Sequence, residues 1–203
     1  MKRTPMYMGL CVMAIAAMGL MAAPMSHAAE EEPSLQVGDK APEITISEWL
    51  RGEPVRIHPE EEEGVQPASD EEAERPIYAV EFWATWCPPC RASIPHLSEI
   101  QDEYGEKGVK VVAITREDVE DVRPFVEEQA EQGEMRYHVA VDDGDQTWEA
   151  YMTAAQVPGI PHVFLVDREG VITWRGHPMA LDEVLEAMFE DEESITEARA
   201  ASE

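Results

Sequence analysis

Between residues 77 and 189 the chain keeps one rhythm: a short apolar run, then a longer stretch whose apolar residues return every three or four positions. The run 77–84, Ile-Tyr-Ala-Val-Glu-Phe-Trp-Ala, is apolar on both alternating faces and predicts a central strand covered on both sides. A helix capped at Cys87 follows, running to about Tyr104 with Gly105 and Gly108 as its stop signals. Residues 109–114 predict the next buried strand, 119–132 a helix with an acidic first turn, 137–141 a short strand and 145–152 a short helix. Residues 162–166 and 171–174 read as a hairpin, and 181–189 as a last amphipathic helix. Strands alternating with helices and closing in a hairpin imply an α/β class, a three-layer α/β/α sandwich around a mixed sheet.

The ends depart from this rhythm. Residues 1–28 read as a cleaved secretory signal peptide: Lys2-Arg3, an apolar stretch from Met6 to Ala23, Pro24, then Ser26-His27-Ala28. Retained, the leader would be an uncleaved membrane anchor. The folded domain is then expected over residues 29–189, about 175 mature residues in all with the tail, in an extracytoplasmic, periplasmic compartment that tolerates disulfides. The segment 58–75 and the tail 190–203 are acidic and lack apolar periodicity, which predicts a mobile loop and a frayed end. A calcium site at Glu60–Glu63 lacks the alternating oxygen ligands and turn glycine of a known calcium loop.

Charge narrows the partners. The net charge of −28 becomes −30 without Lys2 and Arg3, which argues against nucleic acid or an anionic membrane surface. The acids are spread along the whole chain, so they serve solvation more than one docking patch.

Beyond the leader, the cysteines are Cys87 and Cys90, in Trp86-Cys87-Pro88-Pro89-Cys90. A pair at this spacing can close reversibly into a disulfide. Two cysteines alone do not complete a tetrahedral zinc site, but a two-coordinate copper(I) site is chemically possible, with His162 as a further ligand.

The stretch 79–91, Ala-Val-Glu-Phe-Trp-Ala-Thr-Trp-Cys-Pro-Pro-Cys-Arg, resembles the active-site segment of the thioredoxin superfamily, and more narrowly that of the secreted TlpA-like or redoxin-type thiol-disulfide oxidoreductases. Pro95 matches the proline of their active-site helix, and Gly159-Ile160-Pro161 is similar to the segment that carries their cis-proline. Val37-Gly-Asp-Lys-Ala-Pro42 and Trp174-Arg-Gly-His-Pro178 extend the likeness over about residues 35–189.

This resemblance implies an enzyme that exchanges disulfides with protein substrates, more as reductant than oxidant, with no cofactor beyond its own Cys87–Cys90 disulfide. Its partners would be protein thiols and disulfides and a membrane or soluble dithiol donor. Cys87 would be the exposed nucleophile, its thiolate favoured by the helix amino terminus, and Cys90 the resolving thiol. Pro88 and Pro89 sit where a helix tolerates proline but remove two N–H donors, leaving the Cys90 N–H to face the sulfur. Glu81, the one charge in an apolar strand, would move protons to and from Cys90 with a pKa raised by burial. Trp86 would lie over the sulfurs, and Ile160 and cis-Pro161 would form the substrate-facing wall. His162, where many relatives carry threonine, is a proton carrier, a soft-metal ligand or a histidine hydrogen-bonded toward the sheet. A redoxin-type thiol peroxidase is the competing enzyme class, although the Pro-x-x-x-Thr-x-x-Cys pattern of peroxiredoxins is absent around Cys87.

Overall fold

Six strands form one mixed sheet in the computed structural model, which describes residues 34–58 and 75–200, the last nine as backbone. They are β1 (Ile46–Arg51), β2 (Ile77–Phe82), β3 (Val109–Thr115), β4 (His138–Asp142), β5 (His162–Val166) and β6 (Ile172–Gly176). Their order is β1-β4-β3-β2-β5-β6. β2, β3 and β4 run parallel, while β1, β5 and β6 each run antiparallel to their inner neighbour. The parallel pairs need crossovers, supplied by α1 (Pro88–Tyr104) between β2 and β3 and α2 (Val119–Glu131) between β3 and β4. A short α3 (Gln146–Trp148) continues into a π turn at Glu149–Thr153, and α4 (Leu181–Ala200) closes the fold.

All six residues of β2 are buried, as a strand with a neighbour on each side and layers on both faces must be. Alternation divides its side chains between two cores. Ile77, Ala79 and Trp83 join Ile94 and Leu97 of α1, Val122 and Val126 of α2, and Leu181 and Leu185 of α4. Tyr78, Val80 and Phe82 join Tyr151 and Met152 of the π turn and the early residues Ala41, Ile44 and Ile57. Phe82 anchors this second layer in a cluster with Trp148, Tyr151 and Phe164, at centroid separations of 5.7–6.0 Å.

Three features differ from the sequence-based expectation. β1 carries no strong period-2 signal, because it is a half-exposed edge strand whose pairing with β4 is interrupted by two register shifts. The last helix continues past residue 189 to Ala200, because glutamate, alanine and arginine are good helix formers. His58, expected in the acidic loop, is 3 % exposed and packed, its Nε2 lying 2.6 Å from the Ala41 carbonyl oxygen. The Glu43 carboxylate ties down the same stretch by accepting from the backbone N–H groups of Ile57 and His58. The leader at 1–28, Glu60–Glu63 and the rest of the acidic segment to residue 74 lie outside the described residues. Among the described residues no helix is long and apolar enough to cross a membrane.

Candidate active site

Where β2 ends, the chain makes a tight turn, Cys87 N–H donating to the Ala84 carbonyl at 3.2 Å, and α1 begins. Cys87 is the N-cap of α1, with Pro88 and Pro89 in its first turn. The Cys90 N–H points at Cys87 Sγ from 3.3 Å, taking up one of the donors that a helix start leaves free. The two cysteines are joined as a disulfide.

In this oxidised form Cys87 is not exposed. It is 3 % accessible and Cys90 1 %, and the Ile160 carbonyl oxygen lies 3.9 Å from Cys87 Sγ. The Ile160–Pro161 peptide bond is cis. Trp86, directly before Cys87 in the chain, is 70 % exposed. A cleft of about 450 Å³ opens there, walled by Trp86, Trp148, Arg116, Glu117 and the 158–160 backbone. The Arg116 guanidinium lies 3.8 Å from the Trp148 ring centroid and pairs with Asp145 at 3.4 Å.

Glu81 sits under α1, 2 % exposed, in a strand flanked by β3 and β5. Its alternation places it on the face that carries both cysteines. The Ser93 hydroxyl donates to the Cys90 carbonyl at 2.8 Å and lies 3.4 Å from Glu81 Oε1. Burial is the main cause pushing the Glu81 carboxyl up to about 8, with the Ser93 contact opposing it weakly. A carboxyl with that value is largely protonated at neutral pH and still able to exchange its proton there.

His162 is on the other face. It pairs with Phe82 across the β2–β5 ladder, and its ring packs edge-on against Phe164 at 5.0 Å, within the second core. Its Nε2 is buried without a hydrogen-bond partner. Among the described residues no three His, Cys, Asp or Glu side chains converge as a metal site. Burial, and then the charges of Arg175 and His177, lower the His162 pKa to about 4. The unfolded chain takes up this proton near 6.5 and the folded one only near 4, so this site costs stability as pH falls through that window. In His162→Gln the acid-side loss of stability between pH 6.5 and 4 should be shallower than in the parent, as urea unfolding at both ends would show; equal slopes would remove His162 from the account.

Several residues of the site carry no sequence motif. Phe125 packs at 5.9 Å from Trp83 and receives Arg91 at 5.5 Å, so the Arg91 guanidinium lies over an aromatic ring. Ser93 and Glu117 are polar residues in otherwise ordinary helix and loop positions, and only the fold brings them to the cysteine loop. His96 is also less free than a surface position suggests, its side chain 17 % exposed and 3.7 Å from Asp182.

Residues 36–188 match the sequence profile of the family described as Redoxin. The chain belongs to the redoxin family. Among curated proteins it is similar to the thiol-disulfide oxidoreductase ResA of Bacillus cereus, 27 % identical over 143 residues, 70 % of each chain. ResA of Halalkalibacterium halodurans is 24 % identical over 172 residues, 84 % of this chain and 85 % of that one. Among solved structures, a Chlorobium tepidum protein assigned as the thiol:disulfide interchange protein DsbE superposes with a TM-score of 0.56 at 26 % identity, covering 76 % of this chain and 98 % of its own. The thioredoxin domain of a Bacteroides vulgatus thiol-disulfide oxidoreductase gives 0.59 at 23 % identity, with 76 % and 99 % covered, and shares the fold. The redoxin chain is thus a thioredoxin-like α/β protein.

Proposed function

We propose that this redoxin-family enzyme is an extracytoplasmic thiol-disulfide oxidoreductase that reduces disulfides in protein substrates. The observation that carries the reading is the Cys87–Cys90 pair at the start of α1, with one backbone N–H aimed at Cys87 Sγ and a substrate-sized cleft alongside. In the reduced enzyme the Cys87 thiolate attacks one sulfur of a substrate disulfide. A mixed disulfide forms, and the other substrate sulfur leaves as a thiolate and is protonated. Cys90, losing its proton to a base, then displaces the second substrate sulfur and re-forms the Cys87–Cys90 bond, so two electrons pass to the substrate. Glu81 is the base this face of the sheet offers. An external dithiol restores the pair. The backbone beside cis-Pro161 would receive an extended substrate strand, and Trp86 and Ile160 would flank it.

The direction follows from how little the thiolate is supported. Pro88 and Pro89 leave the Cys90 N–H as the backbone donor to Cys87 Sγ, and a weakly stabilised thiolate favours the disulfide form, making the dithiol a reductant. The leader-like residues 1–28 support an extracytoplasmic site.

Reduction of insulin disulfides with a dithiol supply, unaffected by a chelator, tests the activity, and redox titration of the pair tests the direction. A potential near −270 mV is expected, whereas one near about −120 mV would make the enzyme an oxidant. Peroxide consumption without insulin reduction would move it to the peroxidase class. Stoichiometric copper binding without turnover would make it a carrier.

A further inference from the structure

The backbone ladder between β2 and β3 ends one residue past the strand, where the Trp83 N–H donates to the Ile114 carbonyl at 3.2 Å. The chain then turns toward Cys87 and has no strand partner for its next inward donor. A side chain supplies one. Glu117, two residues beyond β3, accepts from the Thr85 N–H at 2.7 Å and, on its other oxygen, from the Thr85 hydroxyl at 2.5 Å. Its own orientation is set by β3: the Thr115 hydroxyl donates to it at 3.0 Å, and the Glu117 N–H donates back to that hydroxyl at 3.3 Å. Thr115 is 1 % exposed and immobilised in the sheet, so the carboxylate is fixed from behind and holds Thr85 from the front.

Thr85 is the second residue of the Ala84–Cys87 turn. That turn decides where Cys87 enters α1, and so whether the Cys90 N–H meets Cys87 Sγ. We infer that Glu117 is a positioning residue of the redox site, clamping Thr85 so that Cys87 keeps its single backbone donor and its place at the head of α1. This rests on the oxidoreductase reading only for its consequence in turnover. Charge-assisted bonds of this kind are short and directional, and two of them on one residue restrict a turn far more than one would. Displacements of about 1 Å at a reacting group cost up to a hundredfold in rate.

The test uses Glu117→Gln, which keeps the shape and replaces one acceptor by a donor, and Thr85→Val, which keeps the Glu117 charge and removes the hydroxyl. Two readouts are taken on each. In insulin reduction, kcat/KM should fall about tenfold in Glu117→Gln, chiefly through kcat. In the reduced protein, iodoacetamide alkylation of Cys87 should slow at neutral pH and recover at alkaline pH, so that the profile moves to higher pH in both variants. The double variant should lose less than the product of the two single losses, because both act on one contact. Unmoved or acid-shifted alkylation profiles, or losses that multiply, would overturn the clamp. Failure of the parent protein to reduce insulin would sink the proposed function instead and leave the alkylation result to judge Glu117.

Discussion

Cys87→Ser is expected to abolish disulfide exchange, and Cys90→Ser to leave the enzyme covalently attached to its substrate. A hydroxyl at the N-cap satisfies the helix as well as a thiol does, so Cys87→Ser should fold normally. It lacks the nucleophile, however, and insulin reduction should drop by at least about a thousandfold. Cys90→Ser keeps the attacking sulfur and loses the thiol that would release the product. The mixed disulfide should then accumulate, visible as a mass adduct on Cys87 that disappears on adding dithiothreitol. Turnover persisting in Cys87→Ser would mean that the disulfide at the head of α1 is structural, and a failure to trap adduct in Cys90→Ser would remove Cys90 as the resolving group.

Glu81→Gln should raise stability at neutral pH while impairing catalysis. The folded core accommodates the protonated carboxyl, whereas the unfolded chain ionises at the ordinary 4.5. The stability contributed by this group is therefore complete below 4.5 and is lost as pH rises toward about 8. At pH 7 the accumulated cost is on the order of 3 kcal/mol, and a neutral amide of the same shape avoids it. Denaturant unfolding should show the parent losing stability between pH 5 and 8 relative to the variant, which stays flatter. Release of the mixed disulfide should slow by about a hundredfold in Glu81→Gln, the ordinary scale of a general base. A parallel pair of stability curves would show that Glu81 reaches water after all. Unchanged release kinetics would assign the proton to another group.

The sequence made the cysteine pair, the central strand and the order of the later elements legible, because each rests on a local signal. Apolar residues on both alternating faces of 77–84 leave little choice but a strand flanked and covered on both sides, and β2 is one. Cys87 at a helix start follows from two prolines that only a first turn accommodates. What stayed hidden depends on contacts between distant segments. β1 is half-exposed and irregular in register, so its strand character rests on its pairing with β4. His58 stands just before a run of glutamates and is held by a carboxylate and a carbonyl that are near it only in three dimensions. His162 stands three-quarters of the way along the chain from the leader and next to the cis-proline, which invites grouping it with the cysteines. Strand alternation sends it the other way. The same rule, applied to Glu81, puts a carboxyl under the disulfide. Glu117 carried no signal beyond being an acid after a strand, since its partner Thr85 is 32 residues away.

That opposite placement of neighbouring residues makes the sheet a partition between two compartments that meet at Trp148 and Ile160. Glu81 pairs with Val163, and Phe82, the next residue, pairs with His162. Substitutions reaching the α1 side retune the electron and proton chemistry. Those reaching the Phe82–Tyr151–Phe164 side change how firmly the sheet is backed, and touch the cleft beside the cysteines through Trp148 and Ile160. A lineage or an engineer can therefore harden this protein from one side of its sheet while sparing the reaction on the other, so long as Trp148 and Ile160 are kept.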